Sequence, residues 1–152
     1  MKPPRNVIVG ALLTLAVLSV GLSVYAQSMR SFHNGSVWDV AFIRMKPGME
    51  TAYLSYVATE WKKEQEALKS AGVILSYKVL STEGHNAGDF NLMLMTEYKD
   101  MASMEASEQK AEAISMKLVG GDQKAQQGYK DRLEIREILG DRLAREIVLE
   151  PR

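Results

Sequence analysis

Glu64 is the titratable residue of this 152-residue sequence whose surroundings could best give it chemistry. Helical spacing places it between Trp61 and Leu68 on the apolar side of a helix. A carboxyl partly buried beside an indole has a raised pKa and can act as general acid or base. The alternative is a boundary Glu that reaches back to water or pairs with a Lys. Asp39 poses the same choice. It stands on a strand among Val37, Ala41 and Ile43, where it pairs with Arg44 or Arg145 or lines a cavity. The only histidines are His33 and His85, far apart in the chain. A metal site needs several converging ligands, so neither a metal nor a cofactor is expected, and His85 reads as a solvated loop residue. A single axial His could still hold a haem.

Aromatic residues are the other material for a site. Trp38, Phe42, Tyr53, Trp61 and Tyr77 are the expected lining of a pocket between sheet and helices, suited to an aromatic or acyl molecule. The bland counterpart is an aromatic core. Met93, Met95, Met101, Met104 and Met116 are spaced like core and interface filling. Gly120-Gly121 lacks the Lys-Ser/Thr of a phosphate loop. No Ser stands in a Gly-x-Ser-x-Gly context, and nothing supports a triad through either His.

These side chains need elements to hold them. Residues 37–45 (VWDVAFIRM) are β-branched and aromatic on both alternating faces, which describes a strand covered on both sides. Lys46-Pro47-Gly48 ends it. Residues 49–71 read as a long helix with Tyr53, Val57, Trp61, Glu64, Leu68 and Ala71 on its inner stripe. Lys62, Lys63, Gln65, Glu66 and Lys69 lie on its wet side, and Gly72 follows as a C′ glycine. Residues 73–81 and 90–98 are strands joined by the polar loop 82–89. Asp100 caps a helix over 101–118 with Met101, Met104, Ala111, Ile114 and Leu118 inward. Asp122 caps a further helical stretch to about Ile138. Leu139-Gly140-Asp141 turns the chain, and 143–149 form a last strand. The order β-α-β-β-α-(α)-β is the split βαβ, ferredoxin-like order: an α+β fold with a four-stranded antiparallel sheet and helices on one face. The other face then needs a cover, and a second copy of the chain is the simplest one.

Residues 1–26 differ from the rest. Lys2 and Arg5 precede the apolar run 7–22, and Val24 and Ala26 occupy the −3 and −1 positions of a cleavage site. This is the pattern of a secretory signal peptide. The alternative is an uncleaved membrane anchor, since no charge falls between Arg5 and Arg30. Either way the rest of the protein is expected outside the cytoplasm, periplasmic or secreted. Residues 27–36 read as a flexible lead-in with a turn at Asn34-Gly35-Ser36, and 37–150 as the folded domain. The chain carries 19 Lys+Arg and 19 Asp+Glu, so a nucleic-acid partner is not expected. Without the two cations of the export segment, the folded part is slightly acidic. The absence of Cys excludes a disulfide framework, a thiolate metal site and a Cys nucleophile.

Four segments together resemble the dimeric α/β-barrel superfamily of ferredoxin-like proteins, closest to its exported uncharacterised members. They are residues 40–50 (VAFIRMKPGME); Trp61-Lys62 with 69–74 (KSAGVI) and Tyr77; Asp89-Phe90-Asn91 with 98–102 (YKDMA); and 139–148 (LGDRLAREIV). The resemblance implies a homodimer formed through the open sheet face. It implies a small apolar or aromatic ligand between sheet and helices. It equally admits a cofactor-independent monooxygenase or isomerase using the same pocket, or a purely structural dimerisation domain. Relatives with the Trp-Lys pair often carry a His shortly after it. Here Glu64-Gln65-Glu66 stands in that place, so the resemblance assigns it no acid/base or metal role.

Overall fold

The computed structural model describes residues 31–86 and 88–151. The expected export segment and the start of the lead-in lie outside them. The chain divides into two compact units. In the smaller, described over 31–33 and 147–151, the Glu150 amide donates to the Ser31 carbonyl at 2.9 Å and His33 Nδ1 lies 2.5 Å from Glu150 Oε1. The larger, Asn34–Glu146, carries the helices and the greater part of every strand.

Among the described residues the fold is α+β, with three helices and one open, four-stranded antiparallel sheet, an arrangement compatible with a ferredoxin-like fold. The strands are β1 (Phe32–Met45), β2 (Ser76–Ser81), β3 (Leu92–Tyr98) and β4 (Arg136–Leu149), side by side in the order β2-β3-β1-β4. The helices are α1 (residues 50–70), α2 (Met101–Val119) and α3 (Asp122–Leu133).

The β1–β3 register sets Ile43 opposite Leu92, Ala41 opposite Leu94, Asp39 opposite Thr96 and Val37 opposite Tyr98. Side chains alternate across a strand, so these residues share one face. The two core clusters that join sheet to helices draw only on this face. Ile43, Met45, Leu92 and Leu94 pack with Tyr53 and Val57, and Tyr77 and Tyr98 pack around Leu68, Val73 and Ile74. Trp38, Val40, Phe42, Met93 and Met95 occupy the opposite face, together with Leu80 of β2.

Helix α1 is not uniform. Glu50–Tyr56 and Lys62–Ser70 are α-helical, but Val57–Trp61 is a π turn. Within it the Thr59 hydroxyl donates back to the Ser55 carbonyl at 2.8 Å. In an unbroken α-helix, at ~100° per residue, Gln65 would stand about 120° away from Tyr53. The π turn absorbs one extra residue and returns it to within about 20°. Gln65, expected on the wet side, is therefore buried with Tyr53, Val57 and Leu68. The helix ends as its glycine suggests: Gly72 adopts φ +70, its amide donates to Lys69 and that of Val73 to Leu68, both at 3.0 Å. That pair of bonds is the Schellman closure, which favours a residue without Cβ.

Several boundaries move relative to expectation. β1 begins at Phe32, inside the stretch read as lead-in, so Asn34-Gly35-Ser36 is strand and not turn. The cause is pairing: β4 is twice as long as expected, and Ser36 Oγ donates across to Glu146 Oε2 at 3.2 Å. α3 stops at Leu133 and not near Ile138. There the Lys46 amide takes the Ile135 carbonyl at 3.0 Å and draws the chain into the sheet ladder. Residues 139–141 accordingly lie within β4. Asp122 does not cap α3, because the N-cap is Gly121. β2 and β3 are shorter than expected: Val73 and Ile74 are buried in the turn before β2, and Phe90 precedes β3. Arg136, at the start of β4, is only 4 % exposed. Its guanidinium lies 5.8 Å from the Tyr53 ring and 5.4 Å from that of Tyr129.

A cleft between sheet and helices

A cleft of about 740 Å³ opens between the helix-bearing face of the sheet and helices α1 and α2. Asp39 and Ala41 of β1 and Leu94, Thr96 and Tyr98 of β3 contribute from the sheet. Trp61, Glu64, Gln65 and Leu68 contribute from α1. From α2 come Met104, Ser107, Ala111 and Ser115, at the 3–4 spacing of one helical face, with Glu105, Glu108 and Glu112 alongside. That helix is started by Asp100, whose carboxylate accepts the Ser103 amide at 2.6 Å. None of its residues is fully buried, so α2 lies over the sheet across the cleft and not tight against it.

Glu64 is at the cleft, as its spacing suggests. It accepts the Ser115 hydroxyl, a bond that ties α1 to α2. Both residues also line a second cavity of about 350 Å³, with Tyr56, Lys63 and Arg132, so they form the partition between the two. Asp39 lines the cleft from the sheet. Arg44 instead points from the opposite face and pairs with Glu137. The charge that most affects Asp39 is Asp141: burial first, and this second carboxylate next, push its pKa above the usual value. Tyr98 is raised too, by burial and then by Asp39 and Glu64.

Of the five aromatics expected to line a pocket, Trp61 alone is in this cleft. Tyr77 sits behind it, its ring edge-on to the indole at 5.5 Å and its hydroxyl donating to Glu66. Tyr53 is buried in the core, stacked on Tyr56 at 5.7 Å between ring centroids. Trp38 and Phe42 alternate with Asp39 and Ala41 along β1 and therefore face away. There Lys78 Nζ lies 4.7 Å over the Trp38 ring, and Phe42 meets Phe90 edge-on at 4.8 Å. His85 is exposed in its loop, where its amide and that of Asn86 donate to Asp89. Those bonds hold the Asp89 pKa below the usual carboxylate value.

The polar lining was not evident in the sequence. Gln65 takes the Thr96 hydroxyl on its Oε1 at 3.1 Å, and Ser107 donates back to the Ser103 carbonyl at 2.7 Å. The regular spacing 61-64-68 points to Glu64, and nothing in the sequence marks Gln65 beside it. Among the described residues no group of three or more His, Asp and Glu could hold a metal ion, and no helix is long and apolar enough to cross a membrane. No family model matches the chain, and no curated protein is significantly similar to it.

Proposed function

We propose that this chain is an exported homodimer of the dimeric α/β-barrel type, which binds a small apolar or aromatic molecule between sheet and helices. The observation that carries the reading is the cleft itself. It has the volume of a small-molecule site, an indole wall and a few polar groups placed to orient what enters. The strand order β2-β3-β1-β4 is the one a split βαβ unit builds. The apolar row on the open face supports a second copy as its cover, and the pattern of residues 1–26 supports export. Native mass spectrometry of the purified protein, followed by a thermal-shift screen of aromatic and acyl compounds, tests the binding. A retained ligand or a saturable rise in Tm is expected. A clean apo mass and no shift across the library would leave a purely structural domain.

One observation favours catalysis as a second reading. Asp39, with a raised pKa, shares the cleft with Tyr98 and Glu64, so proton donors and acceptors of different strength face one space. A cofactor-independent oxygenase or isomerase would use such a set. With a substrate in hand, Asp39→Asn and Glu64→Gln are expected to lower kcat. Unchanged turnover in both would remove catalysis from this site.

A further inference from the structure

The cleft is lined by one sign of charge. Asp39, Glu64, Glu105, Glu108 and Glu112 are in its wall, and no Lys, Arg or His is among its described lining residues. The whole chain is balanced at 19 cations and 19 anions, so this is a departure from its composition. Lys110, the cation that α2 carries among these acids, is turned outward and donates to the Ala71 carbonyl at 2.6 Å.

A second feature is independent of the carboxylates. Gln65 is 5 % exposed and lines the cleft. Its Oε1 is satisfied by Thr96, while its Nε2 has no hydrogen-bond partner among the described residues. That donor is not a buried orphan: it is open to the cleft and is free to meet an acceptor there. Trp61 supplies the third element, an aromatic wall to which cations are attracted.

We infer that the cleft selects an organic cation: a protonated amine on an aromatic or alkyl body that also carries a hydroxyl or carbonyl oxygen. This rests on the ligand-binding reading of the cleft above and adds the charge of the ligand to it. The carboxylates are too dispersed to gather round a metal ion, an arrangement that suits an extended molecule. The ammonium lies toward Glu64 and the acidic side of α2, the body lies against Trp61 and Leu68, and the oxygen accepts from Gln65.

Three probes share a phenol and differ in the charge of the tail: tyramine, 4-ethylphenol and 3-(4-hydroxyphenyl)propionate. The protein is expressed from its full sequence, purified in the form the host leaves, and titrated calorimetrically at low salt. Tyramine is expected to bind at least about tenfold tighter than 4-ethylphenol, the propionate weakest, with the tyramine advantage shrinking as salt is raised. Glu108→Gln with Glu112→Gln, both exposed and so compatible with folding, is expected to narrow that advantage several-fold. Gln65→Met is expected to abolish the preference for tyramine over 2-phenylethylamine, which lacks the hydroxyl. Equal binding of tyramine and 4-ethylphenol, or tighter binding of the propionate, would overturn cation selection and leave the cleft a neutral ligand site. Failure of all the probes would overturn it too, and the aromatic and acyl screen then decides separately whether the cleft binds anything.

Discussion

Asp39 lines the cleft in surroundings that work against its charge. Burial and Asp141 both oppose ionisation, so the folded state holds this proton more tightly than the unfolded chain does. Its contribution to stability therefore falls as pH rises from the ordinary value of 3.8 through the raised folded value. Asp39→Asn removes that loss. The variant is expected to melt above the parent at neutral pH and to converge with it below the ordinary carboxylate value, read as Tm against pH by circular dichroism. A variant that melts lower at neutral pH would mean that an ionised Asp39 has a partner. Asp100 has the opposite sign. Its hydrogen bonds to Ser103 hold its pKa down, so its contribution is present above 3.8 and is lost as pH falls through the lowered folded value. Asp100→Ala is expected to lower Tm at neutral pH. Asp100→Asn, which keeps the cap without the charge, is expected to retain most of it and to lose the pH dependence. A Tm for the Asn variant as low as that for Ala would assign the effect to charge at the helix start and not to the hydrogen bond.

At the scale of elements, the π turn of α1 decides which side chains reach the cleft. Deleting Ala58, an exposed residue within it, is expected to restore a plain α-helix with Gln65 and Leu68 still inward, whereas inserting an Ala after it is expected to rotate everything that follows by ~100°. With the insertion, Leu68 and Gln65 leave the inner face. Loss of a buried Leu alone costs about 2–5 kcal/mol, so a stability loss of at least that size is expected for the insertion in urea denaturation, and little for the deletion. A deletion that costs as much as the insertion would show that the turn does not hold one residue in excess. The same turn explains what the sequence could and could not say about α1. The apolar stripe and the closing Gly72 were legible because local spacing and backbone preference set them. Gln65 was not, because a polar residue gives no periodic signal and the phase shift is visible only in three dimensions. The last strand shows the same limit. Its residues 136–142 mix Arg, Glu, Gly and Asp, and they are strand because β1 lies beside them, a non-local cause no window along the chain contains. The aromatic pocket divided for a simpler reason. Trp38 and Phe42 share a strand parity, and that parity is opposite to the residues facing the helices.

At the scale of the molecule, two expectations concern what the protein is outside its fold. If residues 1–26 address it for export, intact-mass analysis of protein made from the full sequence in a secreting host finds a chain beginning at Gln27. A full-length mass recovered from the membrane fraction identifies an anchor instead. The other expectation concerns the open face. Trp38, Val40, Phe42, Leu80, Met93 and Met95 form a contiguous apolar row to which the sheet–helix core clusters contribute nothing. Within this row Val40 is only 5 % exposed and Trp38, Phe42, Met93 and Met95 are half-buried, while Leu80 is 43 % exposed, and on the long edge strand β4 Leu143 and Ile147 are exposed to a similar degree. An apolar area of this kind on a free monomer is an aggregation liability unless a partner covers it. A twofold pairing of the same face covers it with no further component. Sedimentation equilibrium of the purified protein is expected to give a dimer at tens of micromolar, and Phe42→Lys, which places a charge in the middle of the row, is expected to give a monomer that keeps its circular dichroism spectrum. A parent that sediments as a monomer would remove the dimer. A Phe42→Lys variant that stays dimeric would move the contact off this face, with the exposed side chains of β4 as the next surface to test.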